Sequence, residues 1–129
     1  MRTIKFRGKT HGNGKWYYGS LVYSNEINAA IYFQIGNGLI KRMDWVYVIP
    51  ETVGQFTGLY DCDGKEIFEG DILDFNGLTV EVRFVRGVFA FLVNGDLDEE
   101  LCGDCRTDLF AKVIGNVYEN PDILKGGEK

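Results

Sequence analysis

Three groups of residues have types and spacings that could do chemistry. The first is Cys102-Gly-Asp-Cys105, a CxxC pair of the kind that supplies half of a tetrahedral zinc site or the dithiol of a redox centre. Zinc closure needs two further ligands, and the chain offers only Cys62 and His11, which form no second spaced pair. A redox dithiol needs to open a helix whose N-terminus lowers the thiol pKa, whereas RTDLFAKV, which follows Cys105, reads as loop and then strand. The second group is the acidic loop 61–71, where Asp61, Asp63, Glu66, Glu69 and Asp71 could be oxygen ligands for a hard cation. A calcium loop counted from Asp61 requires glycine sixth and glutamate twelfth, but here glycine falls fourth and Ile72 twelfth. Turn chemistry accounts for the same residues. In Glu69-Gly70-Asp71 the glycine supplies an unusual φ, and the Asp oxygen accepts backbone N–H groups at a strand entrance. The third is His11 in GKTHGNGK, basic and glycine-rich as a phosphate cradle would be, yet without the GxxxxGK[ST] spacing or a following helix. A hairpin tip requires the same residues with no ligand. No catalytic, metal-binding or cofactor-binding residue is assigned on this basis, and no cofactor is expected.

The elements that would position such groups are legible from the turns. Asn-Gly occurs four times, at Asn13-Gly14, Asn37-Gly38, Asn76-Gly77 and Asn94-Gly95, and Asp63-Gly64 is chemically similar. Both central residues of a type I′ turn need positive φ, which Asn tolerates and Gly accepts freely, so the chain reads as a succession of hairpins. Residues 2–7, 16–23, 27–35, 46–49, 71–75, 78–85, 88–93 and 109–118 are rich in β-branched and aromatic types and read as strands. In Val80 to Phe84 the apolar residues alternate with Glu81 and Arg83, the period of a half-buried strand. Asp96 to Leu101 has the composition of one or two helical turns, and Asn120-Pro121 opens a short C-terminal helix. The expected fold is mainly β: antiparallel hairpins in an irregular set of connected sheets or a partly open small barrel, with a short C-terminal helix. One domain over residues 1–129 is expected, divisible into an N-terminal β lobe at 1–50 and a second β lobe at 66–119.

Composition narrows the function. Hydrophobic residues make up 45% of the chain, enough for a core and too many for a disordered protein. No apolar run approaches the roughly 18 residues of a membrane span, and the opening MRTIKFRGK lacks the apolar centre of a signal peptide. Three cysteines leave at least one thiol unpaired, which suits a reducing compartment. A cytoplasmic protein without membrane contact is expected. The net charge is −5, but residues 1–25 hold five cations and no acid. That basic segment could face nucleic acid. The plainer reading makes Lys5 and Arg7 the outward positions of an edge strand whose inward positions are Ile4 and Phe6, in an acidic protein that repels phosphates. Phe6, Trp16, Tyr18 and Tyr23 suit base stacking on a sheet, and equally the core of a small β protein, which is the preferred reading.

Four stretches together carry a family resemblance: IKFRGK near the start, Trp16 to Leu21, Val48 to Leu73 with TVGQFTGL and a downstream EGDI, and the closing VIGNVYENPDIL. The chain resembles the YopX family, small proteins of bacteriophages and prophages, over nearly its whole length. The resemblance implies a largely β-stranded fold of irregularly connected sheets and supplies no catalytic residues. With exposed strand edges and aromatics suited to interfaces, the expected function is a non-enzymatic phage-type accessory protein that binds protein partners, including further copies of itself as a homo-oligomer. The alternatives are a nucleic-acid-binding module using residues 1–25, and a metal-binding protein or enzyme using Cys102 and Cys105 or the loop 61–71.

Overall fold

The computed structural model of the chain describes residues 3–25, 28–36, 38–97 and 106–126. It is mainly antiparallel β, in a six-stranded and a five-stranded sheet, neither of them closed. The chain divides into two compact units, Met1–Phe56 and Thr57–Lys129.

The first unit contains β1 (Phe6–Lys9), β2 (Trp16–Tyr23), β3 (Ala29–Ile35) and β4 (Arg42–Val48). A 3₁₀ turn, Pro50–Thr52, then leads into β5 (Gly54–Tyr60). The strands lie in the order β4-β3-β2-β1, with the start of β5 on the far side of β1. One face is the core: Ala29, Ile31 and Val48 are buried, with Phe6, Tyr17, Leu21, Val46 and Val53 packed around them. Gly8 lies on that face beneath Val48, where an added Cβ would meet Val48 Cγ2 at 2.6 Å. The 3₁₀ turn is latched to β1 through Thr52, whose Oγ1 accepts the Lys9 N–H at 2.9 Å and donates to Ile49 O at 2.6 Å.

Two expectations for this unit are corrected. Strand β1 starts at Phe6, later than expected, and is not an edge, since it pairs with both β2 and β5. Phe6 faces the core and Arg7 the opposite side, as the alternation assigns them, but exposure does not follow it. Ile4 is exposed, whereas Arg7 is buried with its guanidinium 4.8 Å from the Trp16 ring centre. Burial of this arginine is stabilised by the aromatic face it covers, which charge alone does not anticipate.

The second unit takes over the later residues of β5 and adds β6 (Glu66–Phe68), β7 (Asp71–Phe75), β8 (Leu78–Val85), β9 (Val88–Val93), β10 (Asp96–Leu97) and β11 (Ala111–Asn116). Its five-stranded sheet has the order β10-β9-β8-β7-β11. Ile67, Leu73, Phe75, Val80, Val82, Phe91 and Ala111 form its buried core. A single helical turn, α1 (Thr107–Phe110), precedes β11, and α2 (Pro121–Gly126) follows it with proline at its first position. Asp96 and Leu97 pair with β9, so the start of the expected 96–101 helix is a strand; its remainder lies outside the described residues. Two hairpins close on type I′ geometry as their Asn-Gly pairs require, with φ of +53° and +93° at Asn76-Gly77 and +55° and +84° at Asn94-Gly95. A third, between β8 and β9, puts Arg86 at +52° before Gly87 at +84°, although arginine has none of asparagine's tolerance for that region.

Candidate functional site

Two of the residues that looked chemical in sequence, Asp61 and Asp71, are engaged with nearby backbone. Asp61 is 3% exposed. Its Oδ1 accepts the N–H groups of Asp63 at 2.9 Å and Lys65 at 2.8 Å, closing the turn between β5 and β6. Its Oδ2 accepts the Val113 N–H at 3.0 Å and so ties that turn to β11 beside a β-bulge. Burial alone would raise the Asp61 pKa, but the Val113, Lys65 and Asp63 donors and the Lys65 charge outweigh it and hold the carboxyl below its ordinary 3.8. Asp71, equally buried, accepts the Phe68 N–H at 2.8 Å across Gly70, whose φ is +93°. The Glu69-Gly70-Asp71 turn is thus the strand entrance its residue types imply. Among the described residues no three His, Cys, Asp or Glu side chains are grouped to hold a metal ion.

His11 is exposed in the loop joining β1 to β2. That loop is organised by Asn13, whose Oδ1 accepts the Lys15 N–H at 3.0 Å and the Thr10 hydroxyl. Cys62 is exposed and free. Cys102 and Cys105 lie outside the described residues. In the second unit, Thr79, Glu81, Leu92, Asn94, Gly95 and Leu124 line a cavity of about 210 Å³. It holds one carboxylate and is smaller than the roughly 300–1,000 Å³ of ligand pockets.

A different surface stands out once the registers are assigned. Partners across β1 to β4 place Arg7 and Lys9, Trp16, Tyr18, Ser20 and Val22, Ala30, Tyr32 and Gln34, and Met43, Trp45 and Tyr47 on the face opposite the first unit's core. Tyr18, Val22, Trp45 and Tyr47 are each about half exposed and Met43 is 60% exposed. The Tyr32 and Trp45 rings lie 6.2 Å apart, and Trp45 and Tyr47 meet edge to face at 4.8 Å. Among the described residues no acid stands on this face: Asp44 points to the other side, and its Oδ1 accepts the Trp45 N–H at 2.8 Å. That bond occupies a backbone donor on the outermost strand, a device that blunts pairing with another chain. At the tip of the β3–β4 hairpin Leu39 and Ile40 are almost wholly exposed, followed by exposed Lys41 and Arg42.

Tyr18 and Tyr23, expected in the core, are exposed. Trp45, Tyr47, Met43 and Tyr32 were not among the candidates; the fourth strand was expected to begin at Val46, which left Met43 and Trp45 outside any strand. The signal that could have found them is the alternation Met43, Trp45, Tyr47 against Asp44, Val46, Val48, a strand with large apolar groups on both sides.

The model of the YopX protein family matches residues 5–125. Among solved structures, the crystal structure of protein EF1440 from Enterococcus faecalis superposes with a TM-score of 0.65 at 24% identity, covering 96% of this chain and 99% of that one, a likeness of fold. No curated protein matches the chain.

Proposed function

The chain belongs to the YopX family, and from that premise we propose that it is a non-enzymatic binding module, of accessory use to a bacteriophage, whose contact surface is the outward face of β1 to β4. The observation that supports this most is the exposure of Tyr18, Met43, Trp45 and Tyr47 together on one sheet face. Isolated exposed apolar residues are ordinary, whereas a contiguous aromatic face marks an interaction surface. The engagement of Asp61 and Asp71 with backbone donors argues against catalysis or cation binding at the acidic loop. The face offers contact to a macromolecule, a further copy of this chain included.

Capture from host lysate tests the reading. Wild type and the double variant Trp45→Ser/Tyr47→Ser, both shown to be folded by circular dichroism, are used as bait with and without nuclease. Loss of a bound partner, protein or nucleic acid, from the variant alone is the expected result. Identical captures by the two would refute the assignment of this face.

A further inference from the structure

We propose that the partner of the outward face is single-stranded nucleic acid, an inference that rests on the contact-face reading above. Charge is divided unevenly along the chain. Residues 1–56 carry seven Lys and Arg against three Asp and Glu, a net +4, and residues 57–129 carry seven against sixteen, a net −9. The overall −5 that would repel a polyanion therefore belongs to the second unit's sequence. Within the first unit the described acids avoid the face: Asp44 is turned away, Glu51 sits in the 3₁₀ turn, and neither shares the register positions of Tyr18, Tyr32, Trp45 and Tyr47. The same positions include Arg7, buried under the Trp16 ring, and the part-exposed Lys9, and exposed Lys41 stands just before β4, whereas Arg42, paired with Ile35, shares the Asp44 side.

Shape selects among anionic partners. Rings on three neighbouring strands present π-surfaces to unstacked bases, and every base has a π-face, so such a platform needs no particular sequence. A duplex hides those faces inside its stack. The longest described helix, α2, has six residues and could not serve as a major-groove reader. An acidic protein could match the cations but would leave the aromatic platform without flat partners, whereas bases and phosphates answer both features at once. Bases stack on Trp45, Tyr47, Tyr32 and Tyr18, and the phosphates pass Lys9 and Lys41.

Fluorescence anisotropy with labelled 20-nucleotide oligo(dT) and oligo(U), titrated with the full chain at 50 and 200 mM salt, tests this directly. Wild type is expected to bind both, more weakly at the higher salt. Trp45→Ala is expected to weaken binding by about tenfold, the value of one stacked base. Lys41→Glu is expected to weaken it as well and to flatten the logarithmic salt dependence by roughly 0.7, for the one phosphate no longer neutralised. Leu109→Ala, at an exposed position of the second unit, serves as the control that leaves binding unchanged. No binding at 50 mM salt, or equal binding by wild type and Trp45→Ala, overturns the proposal. Light scattering on the same samples separates the two levels of inference. An oligomer that Trp45→Ala dissolves, with no oligonucleotide bound, would make a second copy the occupant, so that the partner assignment fails and the contact face stands. Failure of oligonucleotide binding together with identical lysate captures by wild type and the double variant would remove both.

Discussion

Replacement of Asp61 tests the claim that the acidic loop is structural. The carboxylate receives three backbone N–H groups, from Asp63, Lys65 and Val113, in a nearly solvent-free position. A hydrogen bond to a charged group contributes about 1.5–3 kcal/mol, and a buried donor left without a partner costs about 1–3 kcal/mol. Asp61→Asn keeps an oxygen for the turn but sets an amide against the Val113 N–H, so the expected loss is about 1.5–3 kcal/mol. Asp61→Ala orphans all three donors, of which those in the turn recover some water, and about 3–5 kcal/mol is expected. Because the folded pKa lies below 3.8, the unfolded chain binds more protons in that range, and the stabilisation is complete above about pH 5 and disappears as pH falls through the folded pKa. The wild-type advantage over Asp61→Asn should therefore shrink in acid. Trp16 and Trp45 both lie in the first unit, so tryptophan fluorescence is the wrong probe. Urea unfolding followed by far-UV circular dichroism, with amide exchange read at Lys65 and Val113, reports on the second unit. Wild-type protection of Val113 in Asp61→Asn at neutral pH, or a difference that persists undiminished near pH 2, would refute the reasoning.

Three further substitutions probe the backbone. Gly70→Ala forces a side chain into φ +93° with its Cβ 2.9 Å from the Tyr118 ring, and is expected to cost roughly 2–3 kcal/mol in urea unfolding; a loss below about 0.5 kcal/mol would show that the turn relaxes freely. Arg86→Asn places the preferred residue in a type I′ turn already held at φ +52°, and should raise stability by about 0.5–1 kcal/mol, seen as a higher melting temperature. Gly8→Ala drives a methyl group into Val48 and should cost about 1–3 kcal/mol. Adding Val48→Ala should restore part of that loss, and strict additivity of the two changes would show that they do not touch.

The hairpins of the second unit were legible because their turns are punctuated by residues with few conformational choices. β7, β8 and β9 occupy the expected spans, bounded by Asn76-Gly77 and by Arg86-Gly87. β5 was not legible. Gly54 and Gly58 lower its apparent strand propensity, and Gly58, at φ +88°, has the conformation of a turn residue inside a strand. The Thr57 hydroxyl, donating to Ile67 O at 2.8 Å and accepting the Leu59 N–H at 3.1 Å, secures the chain there, a long-range contact that no local pattern reveals. The outward face was missed for a related reason. Aromatics in a small β protein default to the core, and only the register of β3 against β4 shows that Val46 and Val48 fill the inward positions and leave Trp45 and Tyr47 outside.

Stability and binding should therefore separate cleanly along this chain. A cation placed at Asp61 or Asp71 would have to strip backbone donors from the carboxylate, at about 1–3 kcal/mol for each donor left buried and unmet. The turns that hold β6 and β7 would open before such a site formed. Trp45 and Tyr47 answer to no such constraint. Their rings meet edge to face and Trp45 lies beside Tyr32, half their surface faces water, and the buried core of the unit lies on the opposite side of the sheet. Truncating them forfeits about 0.5–1.5 kcal/mol of ring stacking beyond area burial and leaves the inward packing of Ala29, Ile31 and Val48 in place. A variant that melts near the wild-type temperature yet no longer binds is the signature expected of the outward face. Loss of fold before loss of function is the signature expected at Asp61, Gly70 and Gly8.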